Sequence, residues 1–144
     1  MTDCCTSKEE KRRHRCPVNG RKYPGVASRT LKQHCCSPWR DDYDTDTWYF
    51  CADPECPVVY FSVEGRTVTQ EGLRTPVGIK QRTGEAPICY CFGISYAQAQ
   101  ADPGLRRFVI EETRKGHCAC EVRNPSGRCC LSEFRRVLPT RTGR

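Results

Sequence analysis

The sequence predicts an α+β fold, a small antiparallel β half followed by a compact helical half. Three observations carry this expectation. Aromatic and β-branched runs lie between residues 47 and 70, separated by turn sequences. Apolar residues recur at helical spacing in the second half. The cysteines, 13 in 144 residues, sit at the turns of the first half and in the loops of the second.

Leu, Ile, Val and Phe are sparse, so packing builds only a modest core. At this density, cysteine chemistry takes over part of the stabilisation. Disulfides fit poorly. The opening "MTDCCTSKEEKRRHR" has no apolar signal region, so the chain is expected in the cytoplasm with its thiols reduced. The cysteine count is odd. The cysteines also fall in close pairs: Cys4-Cys5, Cys35-Cys36, Cys89-x-Cys91, Cys118-x-Cys120 and Cys129-Cys130. Close pairs suit a metal that gathers thiolates around one point. No apolar run approaches a membrane span.

Residues 1–15 read as a disordered basic arm. "CPVNGRKYPG" (16–25) reads as turn and loop. "SRTLKQHCC" reads as a short helix capped by Ser28 or Thr30, and "SPWRDDYDTD" as a polar connection. "TWYFC" (47–51), "PVVYFSV" (57–63) and "TVTQ" (67–70) read as strands joined by the turns "ADPEC" and "EGR". The β half thus covers 16–72. The segment 71–87 reads as a connecting loop, and the helical half covers 73–138. There, Ser95 caps a short helix "YAQAQA" that stops at Asp102-Pro103. "GLRRFVIEETRKG" (104–116) places Leu105, Phe108, Val109 and Glu112 on one side, with Gly116 just past its end. "SEFRRVL" (132–138) reads as a last short helix stopped by Pro139, and 139–144 as a disordered tail.

Net charge is +7, with basic residues crowded at both ends. No aromatic residues interleave with them and no reading helix is apparent, so these read as solvated termini rather than a nucleic-acid surface. A surplus of arginine also offsets the negative charge of thiolate-bound metal.

Cys51 and Cys56 flank the turn "ADPE", a spacing that lets both sulfurs face one zinc. Cys16 precedes a glycine turn, as knuckle cysteines often do. The position three residues on is Asn19, a poor zinc ligand, so the fourth donor comes from His34, Cys35 or Cys36. Zinc would supplement the weak core, because its binding free energy becomes folding free energy.

Cys89-x-Cys91 presents two thiolates from a short loop. "NPSG" (124–127) is a turn sequence, with Pro125 at its second position and Gly127 free to take positive φ. That turn folds Cys120 back toward Cys129 and Cys130. Four such thiolates hold either a [2Fe–2S] cluster or zinc, and spacing alone does not choose.

"WYFCADPECPVVYF", "ICYCFGIS" and "CEVRNPSGRCC", in this order, resemble the N-terminal domain of CopZ-type copper chaperones. The resemblance covers roughly 16–134, and its cluster half is similar to the bacterioferritin-associated ferredoxin fold. It implies a [2Fe–2S] cluster on Cys89, Cys91, Cys120 and Cys130, and a mononuclear zinc on Cys16, Cys51 and Cys56. The family's Cys-Pro-x-Cys gives way to Asn19 here, which turns the expectation for the fourth zinc ligand to His34. No Met-x-Cys-x-x-Cys copper loop is present, and the one methionine is Met1. The chain therefore resembles the iron–sulfur and zinc half standing alone.

The implied function is metal homeostasis: a metallochaperone-like or electron-transfer module that binds or reduces copper for a copper-binding or redox partner. The competing expectation is a zinc-only scaffold binding nucleic acid or protein. An enzyme is not expected, since His117 and Cys118 are adjacent on a loop, where neighbouring side chains point apart. Cys4, Cys5, Cys118, Cys129 and at least one of Cys35 and Cys36 are left over. They read as packing or neighbouring thiols, with Cu(I) as the soft metal they would suit.

Overall fold

The computed structural model describes residues 13–81 and 83–137. Cys4, Cys5, most of the basic arm and the tail 139–144 lie outside the described residues. Five antiparallel strands form one sheet in chain order: β1 (Arg13–Arg15), β2 (Lys22–Val26), β3 (Trp48–Phe50), β4 (Val58–Ser62) and β5 (Thr67–Thr69). Helix α1 (Ser28–His34) fills the connection between β2 and β3. Successive residues of a strand face opposite sides, so the sheet feeds two cores. Trp48, Phe50 and Tyr60 join Leu31 and Cys35 on the α1 side. Tyr49 and Phe61, stacked at 5.5 Å, join Cys16, Cys51 and Cys56 on the other.

Two strands depart from the sequence expectation. Arg13–Arg15, expected in the arm, pair with β2, and 22–26, expected as loop, is itself a strand. Pro24 and Gly25 hide it. Pro24 is tolerated because pairing with β3 begins only at Gly25, so its missing N–H interrupts no ladder on that side. Ser28 and Thr30 do not cap α1. Its N-cap is Ala27, and Ser28 Oγ donates instead to Asp44 at 2.6 Å.

A 3₁₀ turn (Gln70–Gly72) leads into α2 (Gly78–Gln81) and then a hairpin of β6 (Pro87–Cys89) and β7 (Ile94–Ser95). The segment expected as one long loop thus holds a helical turn and a strand start. Then follow α3 (Tyr96–Ala101), α4 (Gly104–Arg114), α5 (Cys120–Arg123) and α6 (Leu131–Val137). Ser95 caps α3 as expected, in a reciprocal box with Gln98. At the end of α4, Gly116 takes φ 81° while the N–H of His117 reaches the carbonyl of Glu112, closing a Schellman motif. The inward face of α4 is Val109 and Thr113. Phe108, expected inward, is 44% exposed and packs edge-on against Phe92. No helix among the described residues is long and apolar enough to cross a membrane.

The two halves meet along one seam. A four-residue helix such as α5 leaves its last carbonyls without intrahelical partners. Side chains of the sheet half supply the donors. Thr30 Oγ1 donates to the Glu121 carbonyl at 2.6 Å, and the Tyr60 hydroxyl donates to the Pro125 carbonyl. His34 Nε2 reaches the Val122 carbonyl at 2.7 Å, while its Nδ1 meets Thr75 Oγ1 at 2.7 Å. At Gly127, with φ 72°, an added Cβ would stand 3.0 Å from Val26 Cγ2, so the turn beyond α5 also rests against β2.

This overturns the expectation that His34 is a zinc ligand. Both ring nitrogens are engaged in the seam, and the residue is buried on the α1 side of the sheet. Burial, which disfavours the imidazolium, lowers its pKa against the smaller upward pull of Val122. A histidine with a depressed folded pKa binds protons more readily when unfolded. Its contribution to stability is therefore present above about pH 6.5 and declines as pH falls below it. Thermal melts between pH 7.5 and pH 5 should show this decline in the wild-type chain and a weakened one in His34→Gln. His34→Ala at pH 7.5 should lose about 1–3 kcal/mol, the cost of stranding a buried carbonyl. A pH response identical in His34→Gln would contradict the assignment.

Candidate metal centres

Local hydrogen bonding places the first three cysteines. Cys16 opens the β1–β2 loop, its N–H on the Arg21 carbonyl at 2.8 Å and its carbonyl accepting from Gly20 at 2.9 Å. Cys51 follows β3 and donates its N–H to the Val59 carbonyl at 2.9 Å. Between Cys51 and Cys56, Asp53 shapes the knuckle: its carboxylate accepts the Glu55 N–H at 2.9 Å and its carbonyl the Cys56 N–H at 3.1 Å. The three sulfurs all lie within 4.8 Å of one another, with Cys16 and Cys56 at 3.9 Å. A tetrahedral zinc with bonds of about 2.3 Å needs thiolates about 3.8 Å apart, which this trio fits. Among the described residues it is the one set of three His, Cys, Asp or Glu donors so gathered.

The Cys16 thiol is opposed by burial, yet N–H groups of Asn19 and Val18 and contact with the other two thiols leave its pKa lowered. Cys56 is pushed up to about 11, by burial first and then by the neighbouring sulfurs. Clustered thiols disfavour one another's ionisation until a cation joins them.

Asn19 and Lys80, which sequence reasoning passed over as ligands, both touch this site. The Asn19 amide donates to Cys51 Sγ at 3.4 Å, Asp53 Oδ2 at 3.2 Å and the Tyr23 hydroxyl at 3.2 Å. Lys80 Nζ stands 3.6 Å from Cys51 Sγ and donates to the carbonyls of Asp53, Cys56 and Val58 at 2.7, 2.9 and 2.6 Å. No sequence signal marks Lys80, which arrives from a segment with no periodicity. Cys35 and Cys36, the other fourth-ligand candidates, are not in the trio. Cys35 is buried on the opposite face and hydrogen-bonds Tyr43, while Cys36 is exposed.

The second set converges in the helical core. Cys89 ends β6, Cys91 follows in the loop, Cys120 opens α5 and Cys130 precedes α6. Cys91 and Cys120 sulfurs are 3.6 Å apart, and Cys130 hydrogen-bonds both Cys120 and Cys89. No three of these four lie mutually within 4.8 Å, so they form an extended chain rather than a point. Contact with Cys120 and Cys89, with burial, pushes the Cys130 thiol well up; contact with Cys120, then burial, does the same to Cys91. Cys89 is lowered by the Cys130 thiol and by the N–H groups of Phe92 and Cys91, against burial. The Ala119 N–H donates to Cys91 Sγ at 3.1 Å. The turn works as the sequence suggests: the Gly127 N–H reaches the Asn124 carbonyl at 2.8 Å, and Asn124 Oδ1 accepts from Ser126. Cys118 and Cys129 pack in the same core. His117 is held by Glu112 at 2.6 Å.

Fold and site together define a cysteine-rich α+β metal-binding domain. A family model described as a zinc binding domain of the CopZ type matches residues 13–74. The copper chaperone CopZ of Archaeoglobus fulgidus is 37% identical over 94 residues, covering 62% of this chain and 45% of that protein. The X-ray structure of the N-terminal domain of Archaeoglobus fulgidus CopZ superposes with a TM-score of 0.70 at 30% identity, covering 86% of this chain and 97% of that one. The chain belongs to the CopZ N-terminal domain family. It spans less than half the length of the chaperone it matches.

Burial should order the thiols by reactivity. Limited alkylation of the native protein with iodoacetamide, followed by peptide mass mapping, should modify Cys36 before Cys35, Cys51 and Cys89. Equal rates at Cys36 and Cys35 would contradict the packing around α1.

Proposed function

We propose that the chain is a metal-homeostasis module that holds one zinc at Cys16, Cys51 and Cys56 and one [2Fe–2S] cluster at Cys89, Cys91, Cys120 and Cys130. It acts in copper handling as a metallochaperone-like, one-electron module rather than as an enzyme, in the cytoplasm. One observation carries this reading: two all-cysteine donor sets of different shape lie in one fold. The trio around Cys16 closes on a point, as a mononuclear ion requires. The quartet is linked in sequence, Cys91 to Cys120 to Cys130 to Cys89, and does not close on a point. That shape suits two irons, each taking two thiolates, better than one zinc.

When bound, the cluster supplies one-electron chemistry. The chain's own residues bury Cys89, Cys120 and Cys130, leave Cys91 half-buried, and direct the Ala119 N–H at Cys91 and those of Phe92 and Cys91 at Cys89. Such donors stabilise negative charge on sulfur and tune potential. In the proposed copper role, Cys89, Cys91, Cys120 and Cys130 would hold the cluster, whose one-electron chemistry would supply the electron that takes Cu(II) to Cu(I), with a reduced electron-donor protein as the source. The similarity to a copper chaperone supports copper as the metal handled.

Anaerobically purified protein should contain about two irons, two sulfides and one zinc per chain. Cys91→Ser should lose the visible absorption and keep zinc, whereas Cys51→Ser should lose zinc. A colourless protein with two zinc ions per chain would instead identify a zinc-only binding module.

A further inference from the structure

Among the described residues no fourth protein donor joins the Cys16, Cys51 and Cys56 sulfurs, and their surroundings indicate what takes the place. His34 is committed to the seam, Cys35 lies on the other face of the sheet, and Cys36 is exposed, its sulfur 4.0 Å from the Glu71 carbonyl. The Asp53 carboxylate takes N–H groups of Glu55 and Asn19. At Asn19 the side-chain oxygen accepts the Arg21 N–H at 2.8 Å and the nitrogen faces Cys51. Asn19 therefore presents donors to a sulfur, not a lone pair to a metal.

Charge narrows the choice further. A divalent zinc with three thiolates carries one net negative charge, and an uncompensated buried charge is strongly unfavourable. The three cysteines are 0–5% exposed. The Lys80 ammonium, 3.6 Å from Cys51 Sγ and fixed by the carbonyls of Asp53, Cys56 and Val58, supplies a compensating charge beside the sulfurs. A fourth thiolate would restore a net negative charge, whereas a neutral ligand leaves the group balanced. A groove of about 380 Å³ is lined by Cys56 of the trio together with Lys80, Glu55 and Glu71, and it is the side from which such a ligand would approach.

We propose that this chain's zinc centre is an open three-thiolate site: its fourth position takes a neutral exogenous ligand, water or a small nitrogen donor, with Lys80 as the fixed counter-charge. It rests on zinc binding by Cys16, Cys51 and Cys56. Open sites exchange ligands, and closed four-cysteine sites do not.

Zinc K-edge X-ray absorption of the full-length holoprotein tests this without interference from iron. The expected first shell is three sulfurs and one light atom, and added imidazole should replace that atom. Asn19→Cys should give four sulfurs and no response to imidazole. Lys80→Met should bind zinc about 10–100-fold more weakly, the usual effect of losing a group that supports a ligand, with Lys80→Arg recovering most of the loss. Four sulfurs in the wild-type chain, with Cys4 or Cys5 recruited, would overturn the open position alone. One light atom unmoved by imidazole would also overturn it. Absence of zinc from the trio would overturn the zinc assignment as well.

Discussion

The structure depends on how a helix of four residues ends. Helix α5 carries Cys120 at its first position, and the turn after it delivers Cys130. Alone it would be marginal, since short helices gain little from their own hydrogen bonds. Its carbonyls, and that of Pro125 beyond, are instead met by Thr30, His34 and Tyr60 from the sheet half. Arg29 adds an exposed ion pair to Glu121 at 2.7 Å, worth little beside the buried bonds. The sheet half thus sets where Cys120 and Cys130, two of the four cysteines proposed to hold a cluster, stand.

That dependence runs in sequence order. Zinc would tie the β1–β2 loop to the knuckle between β3 and β4, across 40 residues from Cys16 to Cys56. Those strands hold α1 and Tyr60 in place, and α1 and Tyr60 hold the carbonyls after Cys120. Lys80 adds a second tie, from the connection between the halves back to the knuckle. The connection is therefore tied to the sheet half through Lys80 rather than a passive linker.

Much of this was legible in sequence where one local rule acts alone. Strands β3 to β5 follow from aromatic and β-branched runs, α3 from its Ser95 cap, and the Asn124–Gly127 turn from Pro and Gly placement. The convergence of Cys16, Cys51 and Cys56 was readable from turn spacing and from family resemblance. What stayed hidden depends on long-range partners. His34 looks like a zinc ligand in sequence because imidazole is a common donor near cysteines, yet its partners, Thr75 and Val122, lie 41 and 88 residues away. Strand β2 is masked by Pro24 and Gly25, whose local preference the sheet overrides. Lys80 has no motif at all. Phe108 has the right spacing for burial but meets Phe92 at the surface instead.

The central claim is that the seam makes one cooperative unit of the sheet half and the helical half. A denaturant titration of the holoprotein tests it directly. Buried Trp48 reports the sheet half by fluorescence, and visible absorption reports the cluster half. Coincident transitions with one midpoint are predicted, as for a two-state unit. Loss of one signal at clearly lower denaturant than the other would show that the halves fold independently, and would contradict the account.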